Sequence, residues 1–366
     1  MSASNDPRDD HRFNTTRYEN PLQMGGIRLG TLDHGGRVAL IDTGSGLRFT
    51  VALDRGGDII DAAYNQHALA FLTQVPLRAP GHAYNRGFDW LRNWPGGLVT
   101  TCGPQHIGGP SPSDTDQSTS LHGRYSNLPA EVEMALNPDL HRGRREMLLS
   151  LVVRDAKMFG PVLEVRRQIQ CTLGEPAIHL YDHVINRGDQ PVPHHWLYHV
   201  NLGYPLLDEG SRLIYRGNAR YFQVPAPKAA LSDEQCRGMK RVPAPLPEHA
   251  GTGERGFVVE AVPDAAGQCR IGLVNDRLGL GVSVDFPADV LPRFANWQHY
   301  GPAGCYVTGL EPFSGSLMGV HQDTHPRANQ VLEPGQSIRY QVTVRVLNSP
   351  QAIAELEPWD GPVTVK

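Results

Sequence analysis

An all-β fold is predicted for this 366-residue chain, and three observations predict it. The 39 glycines and 30 prolines supply the turn formers that many short strands need at their joints. Several stretches alternate apolar and polar residues with period two, the signature of half-buried antiparallel strands. No helical periodicity extends beyond two turns. Neither a fixed-period repeat nor a break in composition divides the chain. Residues 21–366 are therefore expected to form one domain behind a mobile polar tail over residues 1–20.

The strands follow in order. Residues 37–42 and 47–53 read as a hairpin split by Gly44, Ser45 and Gly46. Residues 57–60, 69–73 and 96–102 continue the pattern, the last opening on the pair Gly96 and Gly97. Residues 103–120 are nearly devoid of apolar side chains, and an ordered loop of that length is often functional. Three long alternating strands are expected at 148–153, 162–170 and 178–185. The turn Asn186-Arg-Gly-Asp189 leads into the run 193–207, where period two places Trp196, Tyr198, Val200 and Leu202 on one face. His195, Leu197, His199 and Asn201 fall on the other, and Gly203 with Pro205 ends the strand. Residues 216–255 read as a Pro-rich charged connection. Further strands are expected at 257–262, 269–274, 280–286, 305–310 and 338–347.

Charge and cysteine usage exclude several classes. A formal net charge of -4 without a long basic block argues against nucleic acid, whose phosphates demand concentrated positive charge. Cys102, Cys171, Cys236, Cys269 and Cys305 are odd in number and never spaced as C-x-x-C, which disfavours a zinc knuckle and a disulfide framework. They are expected as buried free thiols. The N-terminus lacks an apolar core and no run of 18 apolar residues follows, so no membrane partner is expected and the location is expected to be cytoplasmic. A small neutral ligand fits these totals best; the oligomeric state is left open.

Four places gather side chains able to move protons or grip a polar ligand. Glu311 follows an apolar strand and precedes Pro312, which places it at a strand end. There it is either a carboxylate raised by apolar surroundings into the range of a general base or an ordinary solvated residue. His199 is central on the displayed face of the 193–207 run, while His194 and His195, near its start, read as structural. The spacing His195-x-x-x-His199 also fits a helical pair of zinc ligands. However, no Glu follows His195 and no third ligand is signposted, so no metal is expected. His122 lies beside Gly123 and Arg124 where the polar loop ends; it is either a turn histidine or a ligand contact, with Arg124 able to grip a hydroxyl or carboxylate. Arg86, Asp89, Arg92 and Asn93 lie among Tyr84, Phe88, Trp90 and Trp94. Fork-shaped donors next to aromatic rings suit a sugar, although Asp89 reads more simply as a surface ion-pair partner. His321, Asp323 and His325 read as a solvated or rim cluster.

At these residues the sequence resembles the galactose mutarotase (aldose 1-epimerase) superfamily, and within it the DUF4432 branch. The motifs that carry the likeness are Leu121-His-Gly-Arg124, Leu197-Tyr-His-Val-Asn-Leu-Gly-Tyr-Pro-Leu206, Gly309-Leu-Glu-Pro312 and Leu332-Glu-Pro-Gly-Gln336. The resemblance implies a large antiparallel β-sandwich, a supersandwich of the galactose mutarotase type, whose concave face holds a sugar. It implies interconversion of sugar anomers without cofactor or required metal, through an acid and a base on opposite sides of the ring. By motif, His199 resembles the acid, Glu311 the base, and His122 a second histidine near the ring oxygen. Arg92, Arg124, Asn201, Arg86 and Trp297 are the expected substrate contacts, with no matching aspartate identified. Two alternatives stand beside this reading. One is a non-catalytic sugar-binding or sensing protein; the other is a metal-dependent isomerase or lyase using His195, His199 and the His321 cluster.

Overall fold

The computed structural model describes residues 13–33, 35–79, 85–110, 119–224, 232–317, 325–326 and 328–365. Turn formers and alternation produce two large sheets, one 12-stranded and one 8-stranded. Across the larger sheet the strands run Gly26–Thr31, Arg37–Asp42, Leu47–Ala52, Asp58–Tyr64, Val99–Cys102, Trp196–Gly203, Tyr306–Ser314, Arg293–Tyr300, Glu254–Ala261, Gly217–Val224 and Val363–Val365. His67–Ala68 pairs alongside Asp58–Tyr64. The smaller sheet runs Arg212–Ile214, Gln268–Asn275, Leu280–Pro287, Ser337–Leu347, Ala177–Asn186, Val162–Thr172, Glu146–Ala156 and Ala130–Leu136. Neighbours in both sheets are antiparallel, apart from the parallel pair of Gly217–Val224 with Val363–Val365. The α-helices among the described residues are short, Asp233–Gly238 and Pro350–Ala354.

Apolar positions at every second residue face inward from both sheets and merge into one core. Val51, Ile59, Phe257 and Phe294 enter it from the larger sheet, and Leu151, Val165, Leu180, Val284 and Val342 from the smaller. This is a sandwich, held by the burial of two apolar faces against each other. The strand Trp196–Gly203 lies at the centre of the larger sheet, and all eight of its residues are buried. Trp196, Tyr198, Val200 and Leu202 belong to the core. On the opposite face Leu197 packs with Cys102, Ala295 and Phe313 in a second cluster.

A buried ionic network fixes this strand from the core side. Tyr198 Oη donates to Asp182 at 2.6 Å, and Arg167 donates to both Asp182 oxygens at 2.8 Å and to Thr101 Oγ1 at 2.8 Å. Asp58 accepts the backbone N–H of Thr101 at 2.9 Å. Arg167 is fully buried and faces two carboxylates, Asp182 and Asp58, with the buried Arg55 acting on Asp58 as well; removing one partner of such a set typically costs about 3–5 kcal/mol. Asp182 and Arg167 belong to the smaller sheet and Thr101 and Tyr198 to the larger, so the network also locks the sheets in register.

Several sequence expectations are corrected. Glu311 is in the interior of a strand, not at its end: Tyr306–Ser314 runs on through Pro312. Pro312 still pairs with Phe294 on one side. On the other, the ladder lapses between Leu197↔Phe313 and Val200↔Leu310, where proline has no N–H to donate. Residues 216–255 are not a plain connection, since they contain the strand Gly217–Val224, the helix Asp233–Gly238 and the start of Glu254–Ala261. The strand Arg293–Tyr300 was not foreseen because its polar residues, Asn296 and Gln298, face inward and hide the alternation. They are satisfied there by Tyr215 Oη and by the carbonyls of Gly309 and Met239. Cys305 is exposed, while the other four cysteines are buried. Within the stretch expected as a tail, Phe13 is packed under the Arg145 guanidinium at 4.4 Å; residues 1–12 lie outside the described residues.

Candidate active site

The face of the larger sheet turned away from the core carries the site. Period two along Trp196–Gly203 directs His199 and Asn201 to this face, and the pairs Leu197↔Phe313 and Val200↔Leu310, which flank the lapse in the ladder, bring Glu311 alongside His199. His199 Nε2 and Glu311 Oε1 are 3.3 Å apart. The resemblance implied an acid and a base on opposite sides of a ring; the sheet instead brings the two groups into direct contact, because they are cross-strand neighbours. His199 is 5% exposed and Glu311 2%.

Three tryptophans and a second histidine wall the pair. Trp94 and Trp297 approach the His199 ring at 5.8 and 5.4 Å, and His122 meets it edge-on at 5.3 Å. Trp90 stacks on Trp94 at 5.3 Å and reaches His122 at 5.2 Å. Side-chain hydrogen bonds hold these walls in place. Trp94 Nε1 donates to Thr100, which lies opposite His199 on the neighbouring strand, at 2.9 Å. Trp90 Nε1 donates to Ser126 at 3.1 Å, and Asn93 donates to Asn127 at 2.9 Å. Trp297 Nε1 donates to Glu254 at 2.7 Å.

His122 reaches the site through an unusual backbone. Its φ is 58°, a left-handed conformation uncommon for any residue with a Cβ. The adjacent Gly123, at φ 76°, has no room for a side chain: a Cβ there would lie 2.5 Å from the carbonyls of Gly103 and His106. The His122 N–H donates to Gly108 O at 2.8 Å, and Nδ1 accepts a longer bond, 3.4 Å, from Gly108 N. With Nδ1 an acceptor, the neutral ring carries its proton on Nε2.

Burial sets the protonation of the pair. It drives His199 down to about 4, against a smaller upward pull from Asn201. Burial, reinforced by the Glu254 charge, holds Glu311 well above the usual carboxylate range. His122 is lowered by burial and by its histidine neighbours. Burial thus favours the neutral form of each partner, imidazole for His199 and carboxyl for Glu311. His199 Nδ1, Asn201 Oδ1 and Glu311 Oε1 are buried without a hydrogen-bond partner in the protein. Buried polar atoms left unpaired are costly, and three of them fall together at this pair.

The expected substrate contacts divide into two groups. Trp297 and Asn201 are at the site. Asn201 Nδ2 donates to the carbonyls of His199 and Gly97 at 2.8 and 3.2 Å, which leaves Oδ1 as its open group. Arg124 is close to His122 in sequence, but its guanidinium is ion-paired with Asp155, which also accepts from Gln105 at 2.9 Å. Arg92 is 77% exposed and pairs with Asp89 at 3.2 Å. Arg86 and Arg92 border a cavity of about 600 Å³ whose lining includes neither His199 nor Glu311. His194 bonds Pro104 O and Tyr340 Oη at 2.8 and 2.9 Å, and His195 Nδ1 accepts the Ser316 N–H at 3.1 Å. Among the described residues no three His, Cys, Asp or Glu side chains are placed to hold a metal ion; His321 and Asp323 lie outside them.

The sequence reading missed three contributors. Trp90 and Trp94 were noted only as neighbours of the arginines, although they form the aromatic wall. Glu254 was lost in the supposed connection; only the alternation of Glu254–Ala261, read three residues further back, could have recovered it.

The sequence profile of DUF4432, a domain of unknown function, matches residues 33–346. No curated protein matches the chain. Solved structures do. A provisionally assigned aldose 1-epimerase from Klebsiella pneumoniae shares 21% identity and superposes with a TM-score of 0.78, covering 93% of this chain and 89% of its own. A galactose mutarotase-like protein from Clostridium acetobutylicum shares 12% identity at a TM-score of 0.61, covering 88% and 99%. A provisionally assigned aldose 1-epimerase from Escherichia coli K12 shares 16% at 0.54, also covering 88% and 99%. At these identities the likeness is one of fold. No helix among the described residues is long and apolar enough to cross a membrane.

Proposed function

Because the chain belongs to the DUF4432 family, and its fold here carries a buried His199–Glu311 pair, we propose that it interconverts the anomers of a free sugar by general acid–base catalysis. The observation that supports this most directly is the contact of His199 Nε2 with Glu311 Oε1 at 3.3 Å. The ring oxygen and the anomeric hydroxyl of a sugar are bonded to the same carbon. A donor and an acceptor one contact apart can therefore address both at once, and separation across the ring is not required.

The directions in which burial shifts the two groups assign the steps. Neutral His199 accepts the proton of the anomeric hydroxyl while the Glu311 carboxyl gives its proton to the ring oxygen. The bond from the anomeric carbon to the ring oxygen breaks and the carbonyl forms. The pair is then imidazolium and carboxylate, an arrangement stabilised by their proximity. After the carbonyl turns, the freed hydroxyl attacks its other face. Glu311 recovers its proton from that hydroxyl, His199 protonates the carbonyl oxygen, and the starting state returns without cofactor or net proton transfer. These roles reverse those implied by resemblance, and burial of the carboxyl is the reason. Trp90, Trp94 and Trp297 offer apolar walls to the C–H faces of the ring, with Asn201 Oδ1 and His122 Nε2–H as an acceptor and a donor for hydroxyls.

The test is anomer exchange measured by NMR over a panel of aldoses, uronates and deoxy or sulfonated sugars. Glu311→Gln and His199→Asn are each expected to lower the exchange rate about 10²-fold or more. Near-wild-type exchange in both variants refutes the mechanism. Tight sugar binding with no exchange above the spontaneous rate in the wild-type protein replaces the enzyme with a binding protein.

A further inference from the structure

We propose that Gly309 is a positioning residue, and that the space left by its missing side chain is the seat that holds the Glu311 carboxyl group against His199. This rests on the acid–base reading above. Gly309 lies two residues before Glu311 on the same strand and so on the same face. Its cross-strand neighbours are Asn201 on one side and Trp297 on the other, so the gap opens in the middle of the site. From the core side Asn296 Nδ2 donates to the Gly309 carbonyl at 3.0 Å and fixes the backbone there.

A Cβ placed on Gly309 would overlap Glu311 Oε1, with Glu311 Cδ and Cγ next at 3.0 and 3.3 Å. The three nearest atoms all belong to one side chain. Glu311 therefore folds back over Gly309 instead of standing up from the sheet, and that fold brings its oxygen to His199. Other strand glycines are crowded by backbone: Gly203 by Phe71 Cα at 2.8 Å, and Gly256 by Asn296 O. Gly309 is not, and its φ lies outside the left-handed region, so its backbone makes no demand for glycine. Glycine in a strand interior weakens the strand and commonly marks a close approach. Here the approaching group is the proposed acid.

The experiment is a double-mutant cycle on the full chain. Gly309→Ala is expected to keep the fold, because the group it displaces is the end of a flexible side chain. Its kcat for anomer exchange is expected to fall about 10²-fold with KM little changed, the usual consequence of misplacing a reacting group by about 1 Å. In the Glu311→Gln background the same substitution is expected to cause little further loss. Independently of activity, the side-chain carboxyl carbon of Glu311, followed by NMR against pH, is expected to titrate lower in Gly309→Ala, toward ordinary glutamate. A protein that exchanges no sugar but shows that shift removes the proposed function and keeps the seat. Unchanged kcat and unchanged titration overturn it, as does an equal loss in the Glu311→Gln background. If Gly309→Ala does not fold, recovery of folding in Gly309→Ala with Glu311→Ala supports the seat, and failure of both overturns it.

Discussion

Replacing Glu311 with glutamine should make the protein gain stability relative to wild type as pH rises, while lowering the proposed anomer exchange about 10²-fold or more. Glu311 is 2% exposed, and burial favours its protonated form in the folded state. In the unfolded chain it returns to an ordinary pKa of about 4.3. Between those values the unfolded state has released a proton that the folded state keeps, so stability falls as pH rises through this window and is fully present below the unfolded pKa. Each pH unit within the window is worth about 1.4 kcal/mol. Glutamine fills nearly the same volume, is neutral at every pH and carries no such dependence. The stability difference, Glu311→Gln minus wild type, should therefore grow by about 1.4 kcal/mol for each pH unit from pH 5 up to the native pKa of Glu311. Urea unfolding of both proteins, with midpoints compared at fixed m-value, measures it. Parallel stability curves from pH 5 to 7 would refute the reasoning, because they would mean that Glu311 ionises normally in the folded protein.

The acid limb has the opposite sign. His199 is lowered to about 4 by burial, so the stability it allows is present above its unfolded value of about 6.5 and falls as pH drops toward 4; His199→Asn should flatten that limb in urea unfolding. Both ring nitrogens of His299 lie against carbonyls, Nδ1 on Cys305 O at 2.8 Å and Nε2 on Gly251 O at 3.0 Å, a geometry that needs an imidazolium, and its pKa is raised to about 9 by Cys305 and the Gly251 carbonyl. Its contribution is present below about 6.5 and lost as pH rises through 9, so His299→Gln should destabilise at pH 6 and much less at pH 10. Tyr198→Phe removes a 2.6 Å hydrogen bond to the Asp182 carboxylate and should cost about 1.5–3 kcal/mol in denaturant unfolding. Arg92→Ala breaks only an exposed pair and should change stability by less than about 1 kcal/mol and leave anomer exchange unaltered.

The sheet architecture was legible because its long strands keep period two. Residues 162–170 and 178–185 were readable as strands since Val165, Ile169, Leu180 and Val184 fall on one face, the face that enters the core. The split of Trp196, Tyr198, Val200 and Leu202 from His199 and Asn201 was legible for the same reason. Contact between His199 and Glu311 was not, since register between strands over a hundred residues apart leaves no local trace. Arg293–Tyr300 escaped notice because Asn296 and Gln298 point into the core, where the sequence shows polarity but not the partners that satisfy it. The arginines attracted attention by their chemistry. Whether a guanidinium faces a ligand or an Asp89 is decided by the local turn, and Asp89–Arg92 turns Trp90 inward and Arg92 out.

The adjacency of Trp196–Gly203 and Tyr306–Ser314 also bears on how the protein folds. Strands of both sheets lie between them in the chain, from Arg212–Ile214 to Arg293–Tyr300. Pairings of such large sequence separation pay their loop-closure entropy before they are rewarded, which makes them slow to form. No fragment ending before residue 311 can assemble His199 and Glu311, and a collapsed intermediate with only the hairpins of residues 26–64 and 130–186 in place has no site. Recovery of activity during refolding would report closure of the whole sheet, lagging behind the signal of backbone structure formed earlier.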